Sequence, residues 1–376
     1  VRPDRSPPAA SGFMSMRVAI DASRATVARA TGTERYSREL IRALLQTGAD
    51  HEFHLFFRDE PPGGLFRGRN VVQHVIPLPR LWTHLRLAAA LHALRPDVSF
   101  VPAHSLPLFL PGPALVTVHD LGFHHFPAAH PPRERRYLEW STRHSARRAS
   151  LVLADSQASA DDLQRFCHVA PQKIRVVYPG VTPLPIGDPA ALRRKYALPP
   201  RYYLFLGTLQ PRKNLSTIVA AWQRWRAANP DDDAALVLAG GRGWLLDESE
   251  FAGLDGVHLP GYVDDEDRGA LYAGARALLF PSLHEGFGFP VLEAMHCGTP
   301  VITSKTSSLP ELAGDAALLV EPTDVKAIAR QMTRLQKDRA LRRRLVRSGQ
   351  ARAASFTWER AARATLRALQ DAAKAG

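Results

Sequence analysis

Apolar residues along this chain fall into two alternating rhythms. Short continuous runs, at Met16–Ile20, His54–Phe57, Val71–Ile76, Val98–Val101, Leu115–Val118, Leu151–Ala154 and Ile174–Val177, predict strands. The stretches between them carry helical spacing. In Thr33–Gln46 the residues Tyr36, Leu40, Ile41, Leu44 and Leu45 recur near a 3.6 period, and Gly48 follows as a stop. Leu81–Leu94 is amphipathic and closes before Pro96, and Pro132–Ala149 predicts a long helix. After a stretch rich in Pro and Gly the alternation resumes. Strands are predicted at Tyr202–Leu206, Ala234–Ala239, Val257–Leu259, Ala277–Phe280, Val301–Thr303 and Ala317–Val320. Helices are predicted at Asn214–Ala227, Asp265–Ala273, Pro290–His296 and Val325–Gln336.

Alternation of strands and helices argues for an α/β protein with parallel sheets covered on both faces. The two series are separated at Tyr178–Pro200, which holds Pro179, Gly180, Pro183, Pro185, Gly187 and Pro189. The reading is therefore two domains, 14–180 and 181–355. A final helical segment, 356–376, is N-capped at Thr357 and expected to return toward the first domain. A chain of 376 residues is long enough for two cores. Two consecutive α/β domains imply a cleft, and open α/β sheets bind ligands beyond the carboxyl ends of their strands.

Composition narrows the class. Two cysteines give no disulfide framework, which fits a reducing cytoplasm. No apolar run approaches the roughly 18 residues of a membrane span. The first 13 residues are rich in Pro and Arg, lack an apolar core and do not read as a signal peptide. The net charge is +13, of which residues 1–180 contribute +8, so phosphates or an anionic surface are the expected partners. Aromatics do not interleave with the basic residues as a base-stacking surface requires, which argues against nucleic acid.

Two strings carry candidate chemistry. In Leu283-His-Glu-Gly-Phe-Gly-Phe-Pro-Val-Leu-Glu293, a predicted strand leads into a glycine loop and then a helix opened by Pro290. Glu285 lies in the loop, and Glu293 is expected in the first helical turn. Carboxylates accept hydrogen bonds from the hydroxyls of a sugar or a ribose. In Gly207-Thr-Leu-Gln-Pro-Arg-Lys-Asn214, Arg212 and Lys213 stand between a strand end and a helix start, a place suited to a diphosphate.

These strings resemble the retaining GT-B glycosyltransferases of family 4, the group that includes bacterial mannosyltransferases of polysaccharide assembly. The likeness lies in E-x7-E from Glu285 to Glu293 and in Arg212-Lys-Asn214. It extends to Gly32-Thr-Glu-Arg-Tyr36, Val118-His-Asp120 and Ser307-Ser-Leu-Pro-Glu311, and spans Arg17 to about Leu369. The resemblance implies two Rossmann-like domains facing across a cleft, with the acceptor in the first and a nucleotide-sugar donor in the second. It implies that Glu285 holds donor-sugar hydroxyls and Glu293 the ribose. Arg212 and Lys213 would bind the diphosphate, and Gly207 and Thr208 would line its pocket. Gly286, Phe287 and Gly288 would touch the sugar, and His119 would face it from the first domain. Gly32, read as a loop residue after the first strand, would leave room for the diphosphate or acceptor.

The expected reaction is hexosyl transfer, with GDP-mannose as lead donor, to a saccharide or lipid-linked saccharide. Retention by double displacement needs a carboxylate nucleophile on the far face of the sugar. The resemblance favours front-face substitution, with Glu285 as a positioning residue. No metal or resident cofactor is expected, and the runs Asp231–Asp233 and Asp264–Asp267 read as caps and solvated loops. Gly240-Gly-Arg-Gly243 falls short of a dinucleotide fingerprint. The alternatives are a sugar-nucleotide epimerase of the same fold and a non-catalytic nucleotide-sugar binding protein. Contact with the inner membrane face is a further expectation, from the six arginines of Arg133–Arg148 and the mixed segment Arg80–Leu87.

Overall fold

The computed structural model describes residues 15–27, 31–241, 243 and 250–375. The Pro- and Arg-rich start of the chain and Arg242 of the glycine-rich string lie outside these. Among the described residues the strands form two wholly parallel sheets, one of seven strands and one of six. The first contains β1 (Arg17–Asp21), β2 (Glu52–Phe57), β3 (Val71–Val75), β4 (Val98–Val101), β5 (Ala114–Val118), β6 (Leu151–Ala154) and β7 (Ile174–Val176), in the order β3-β2-β1-β4-β5-β6-β7. The second contains β8 (Tyr202–Leu206), β9 (Ala235–Ala239), β10 (Val257–Gly261), β11 (Leu278–Phe280), β12 (Val301–Ser304) and β13 (Leu318–Val320), in the order β10-β9-β8-β11-β12-β13. Each sheet starts at an inner strand, winds one way and then crosses back. The order reverses between β1 and β4, and between β8 and β11. A crevice opens at the carboxyl ends of strands at such a reversal.

The continuous apolar runs are explained by burial on both faces. Every residue of β5, β8 and β9 is buried. Helices follow the 3.6 pattern, with two departures. The helix expected over Leu81–Leu94 is a π-helical turn, Thr83–Leu87, followed by Ala88–Leu94. Leu81 has a φ of 56° and stands outside it, so Leu81 and Leu85 are exposed while Trp82, Leu87 and Leu91 are buried. Gly32 is the first residue of the helix Gly32–Thr47 rather than a loop residue, because Thr31 and Glu34 close a capping box around it.

The chain crosses between the domains twice, at Val177–Val181 and at Phe356–Trp358, and the crossings lie side by side. Val181 N donates to Phe356 O at 3.0 Å. A Cβ on Gly180 would lie 2.2 Å from Trp358 N, so the crossings pack backbone to backbone. Thr357 Oγ1 accepts from Arg360 N at 3.2 Å and starts the helix Trp358–Ala375. That helix buries Ala361, Ala362, Ala368, Leu369 and Ala372 in one core with Val18, Ile20 and Leu40 of the first domain.

Candidate active site

The second sheet's reversal point gathers the two candidate strings. After β8 the chain makes a short 3-10 turn, Pro211–Lys213, which ends at Asn214 with a φ of 64°. Asn214 Nδ2 donates to Pro281 O at 3.0 Å and to Pro322 O at 2.7 Å, and Leu283 N donates to Arg212 O at 2.9 Å. The loop after β8 is thereby bonded to the loop after β11. Ser307 and Ser308 support the second loop: Ser307 Oγ accepts from Glu285 N at 3.0 Å, and Ser308 Oγ donates to Phe287 O at 2.6 Å.

This scaffold puts Arg212 Nη1 2.9 Å from one Glu285 oxygen and Lys213 Nζ 2.5 Å from the other. Glu285 and Lys213 are buried. Burying a carboxylate costs several kcal/mol unless it is paired. Burial would raise the Glu285 carboxyl, but Lys213 and then Arg212 outweigh it and bring it to about 2. Lys213 is pushed down to about 8 by burial and by Arg212, against the pull of Glu285. The two shifts agree physically, because the two cations share the Glu285 carboxylate and repel each other, and the fully buried lysine yields. Such a pair can exchange part of its carboxylate contact for a phosphate.

Gly207 and Thr208 follow β8 and are half-buried. Gly240, at a φ of 141°, lets the end of β9 approach: a Cβ there would lie 1.9 Å from Gly207 O. Gly286 serves the cleft instead, since its Cβ would lie 2.0 Å from His119 O of the other domain. Phe287 packs against Phe289 and Phe356, at centroid distances of 5.0 and 6.0 Å, so its ring belongs to the core. Gly288 caps the helix Phe289–His296. Gly32 faces the Phe289 ring, which a Cβ there would meet at 3.5 Å.

Glu293 lies in the second turn of that helix, not the first, because the helix opens at Phe289. Its carboxylate is therefore held by side chains and not by helix N–H groups. Tyr272 OH donates to it at 2.9 Å, Arg268 Nη2 donates to the same oxygen, and Arg35 Nη1 of the first domain lies 3.8 Å from the other. Burial would raise this carboxyl, and Arg268 and Arg35 hold it below its usual range.

The first domain contributes His119, directly after β5. Its Nδ1 pairs with Asp155 at 2.6 Å and its Nε2 lies 3.2 Å from Pro102 O. Both ring nitrogens are thus bonded within their own domain. Burial opposes the charged imidazole, but Asp155 holds its pKa above the usual histidine value. Asp155 itself is raised, since burial outweighs its pairing with His119. Ser159 Oγ bridges the cleft, lying 3.0 Å from His119 O and 3.3 Å from Gly286 O, either of which can accept its single proton. Burial would raise the Asp120 carboxyl too, yet Arg212 across the cleft, with His104, holds it well below the usual range.

The run Asp264–Asp267 does not cap the helix Arg268–Gly274 with its side chains. Asp264 and Asp267 instead hold Lys195, at 2.7 and 2.6 Å. Sequence reasoning missed Arg268, Tyr272, Arg35, Asp155 and Ser159. Arg268 and Tyr272 stand four apart on one helix, a spacing that presents both to one partner. Arg35 and Asp120 sat unassigned inside the family-like strings. Asp155 and Ser159 left no signal, because only the fold brings them to His119.

Comparison with known proteins gives a consistent picture. A model described as "Glycosyltransferase Family 4" matches residues 30–183, and one described as "Glycosyl transferases group 1" matches residues 190–352. The O-antigen chain mannosyltransferase B of Escherichia coli is 33% identical over 373 residues, covering 90% of this chain and 96% of that protein. The serotype-specific mannosyltransferase WbdA of the same organism is 33% identical over 223 residues, 56% of this chain and 27% of that protein. Among solved structures, the sucrose-phosphate synthase of Thermosynechococcus elongatus matches with a TM-score of 0.74 at 24% identity, covering 96% of this chain and 100% of that one. WaaG, a glycosyltransferase involved in lipopolysaccharide biosynthesis, matches with a TM-score of 0.68 at 17% identity over 94% and 99% of the two chains. At these identities the structural likeness bears on the fold, which is GT-B.

Proposed function

The chain belongs to glycosyltransferase family 4, and on that premise we propose that it transfers a mannosyl group from GDP-mannose, with retention, to a saccharide or lipid-linked saccharide acceptor. The observation that carries the reading is the buried Glu285 with Arg212 and Lys213 on its two oxygens at the reversal point of the second sheet. The donor diphosphate would take up the two cations, and Glu285, released in part, would accept from hydroxyls of the sugar. Glu293 would accept from the ribose. The mannosyl donor is favoured by the two relatives described above, both of which are named as mannosyltransferases.

Glu285 is poorly suited to nucleophilic attack, since both its oxygens face cations and its pKa is near 2. Front-face substitution fits better. The bond from the anomeric carbon to the β-phosphate oxygen breaks, the acceptor oxygen bonds to that carbon on the same face, and the acceptor's proton passes to the departing phosphate. Arg212 and Lys213 would stabilise the charge that develops there. No metal enters this step, so transfer should persist in EDTA. Loss in chelator with recovery in Mg²⁺ would overturn that.

Thermal shift with a panel of nucleoside diphosphates and nucleotide sugars tests the donor. A ligand that binds only the native state raises its melting temperature. GDP and GDP-mannose are expected to stabilise the protein most. Stabilisation by uridine nucleotides alone would overturn the choice of donor, and release of free nucleotide with no acceptor-linked product would favour an epimerase.

The acceptor reading includes reversible docking of the first domain on an anionic membrane face. Supporting it are Leu81, Leu85, Phe109, Tyr137 and Trp140, all exposed in that domain, and a cavity lined by Arg136, Arg143, Arg147 and Arg148. His84 lies within electrostatic reach of His144, which brings the segment Thr83–Leu87 beside the arginine-bearing helix Pro132–Arg148. Basic residues at such a surface contribute roughly 1 kcal/mol each. Among the described residues no helix is long and apolar enough to cross a membrane. Co-sedimentation with anionic vesicles, weakened by salt and by Arg-to-Glu changes at 135, 136 and 143, is expected. Equal absence of binding to neutral and anionic vesicles at low salt would remove the membrane.

A further inference from the structure

Two histidines and an aspartate meet across the cleft, beside the donor site but outside the set assigned to it. His125 ends the short helix Gly122–His125 after β5, and Asp162 lies on the helix Gln157–Cys167, both in the first domain. His284 belongs to the second domain, in the loop that carries Glu285. One oxygen of Asp162 is 2.8 Å from His125 Nε2 and 3.7 Å from His284 Nε2. The two imidazoles are stacked, with centroids 4.3 Å apart and planes 26° apart. One ligand atom from each residue lies within 4.8 Å of the other two.

A hydrogen bond accounts for only half of this arrangement. His125 Nε2 is at bonding distance from the carboxylate, whereas His284 Nε2 lies beyond bonding distance of the same oxygen. A zinc-type ion takes nitrogen at about 2.0–2.1 Å and carboxylate oxygen at about 2.0–2.2 Å in a tetrahedron, so neighbouring ligand atoms lie roughly 3.3 Å apart. The two observed separations stand on either side of that value, and shifts of about half an ångström would equalise them. The donor chemistry is equally suitable, since two imidazoles and one carboxylate are ligands that zinc accepts, with a fourth position left for water.

We propose that His125, Asp162 and His284 form a zinc-type metal site that spans the cleft and, when occupied, holds the two domains together and slows turnover. Two ligands come from one domain and one from the other, so the ion binds only when the domains are in contact. Binding one conformation in preference shifts the population toward it. Glu285 is buried, and Gly286 beside it packs on the His119 carbonyl of the other domain, so donor entry and nucleotide release would need the domains to part. The His284 carbonyl also accepts from Arg212 Nη1 at 2.9 Å, so an ion on this loop acts next to the diphosphate cations. Metal binding here is independent of the assigned reaction, while inhibition rests on that reading.

Two measurements on the full chain without an affinity tag separate these halves. In a cobalt titration, Co²⁺ bound by this ligand set is expected to give visible absorption bands that saturate at one equivalent and are abolished by zinc. His125→Ala and Asp162→Asn are expected to lose the bands. Absence of bands in the unaltered protein, or equal bands in both variants, overturns the site. In the turnover assay, micromolar Zn²⁺ is expected to inhibit transfer and EDTA to restore it. His125→Ala is expected to keep the basal rate and need at least tenfold more zinc for equal inhibition. Unchanged zinc sensitivity in that variant, or a protein that binds cobalt at the triad yet turns over normally in zinc, overturns the clamp. If no transferase activity is found at all, the cobalt titration still decides whether the triad binds metal.

Discussion

Glu285 and Glu293 are eight positions apart and buried to the same degree, yet they are held in opposite ways. Glu285 sits in a loop and its two cations come from a second loop of the same domain. Glu293 sits on a helix and is bound by Arg268 and Tyr272 of a neighbouring helix, with Arg35 reaching over from the other domain. The cations around Glu285 touch that carboxylate directly while Asp120 acts on Arg212 only from across the cleft, so an incoming anion can claim part of their charge. Those around Glu293 are committed to it and to Asp265, which also binds Arg35. On the proposed reaction, Glu285 would exchange partners during turnover and Glu293 would stay a fixed acceptor. Burial and charge alone do not tell the two apart; the elements that carry the partners do.

The sharpest way to break the comparison is Glu285→Gln. Lys213 would be left buried beside a neutral amide, and removing one partner of a buried ion pair costs about 3–5 kcal/mol of stability. Misplacing a reacting group costs on the order of 100-fold, so kcat/KM is expected to fall at least that far. A value within threefold of the unaltered enzyme would take Glu285 out of the chemistry. Next in size come Arg212→Ala and Lys213→Ala. Losing a charge-assisted contact costs about 1.5–3 kcal/mol, to be read as weaker nucleoside-diphosphate binding by calorimetry. Unchanged affinity in both variants would remove the pair from the diphosphate site.

Glu293→Gln is expected to do less to transfer, although it too leaves a buried cation, Arg268, beside a neutral amide and costs stability. It exchanges an ionic acceptor for a neutral one, a difference of roughly 1–1.5 kcal/mol, or about tenfold in donor KM with kcat nearly kept. A fall in kcat with KM unchanged would instead put Glu293 at the reacting centre. The smallest effect is a pH slope. Lys213 is at about 8 in the free protein, and a bound diphosphate would raise it. Diphosphate binding therefore takes up a proton only above pH 8, where affinity should fall by up to about tenfold per pH unit until the bound-state value is reached. Below pH 8 the lysine is charged in both states and contributes no slope. Lys213→Arg should flatten the profile, and a flat profile in the unaltered protein would mean that the lysine stays charged throughout.

Much of the fold could be read from the chain, because both sheets are buried on both faces and their strands appear as unbroken apolar runs. Val98–Val101 and Leu151–Ala154 were predicted with the bounds they have. Helix edges were less legible where backbone conformation decided them: nothing local marked Leu81 as left-handed or Phe289 as a helix start. Within the site, Glu285, Arg212 and Lys213 were named from their strings, and their meeting at one carboxylate follows from β8 and β11 being neighbours. What could not be read were partners contributed by other elements. Tyr272 lies 21 residues from Glu293 and Asp155 lies 36 from His119, and neither separation has a periodicity to betray it.

The helix Trp358–Ala375 completes the core of the first domain, although the whole second domain lies between them in sequence. During synthesis the chain leaves the ribosome from its N-terminus, so the second domain emerges while the first still lacks the helix that covers Leu40 and its neighbours. The domain made first is thus the domain finished last. Its apolar surface stays open until Trp358–Ala375 arrives and must be shielded for that interval. A fragment that stops at the first crossing would keep that surface open permanently. A separately folding first domain needs Trp358–Ala375 joined to it, and the paired crossings at Gly180 and Trp358 offer the short route for that junction.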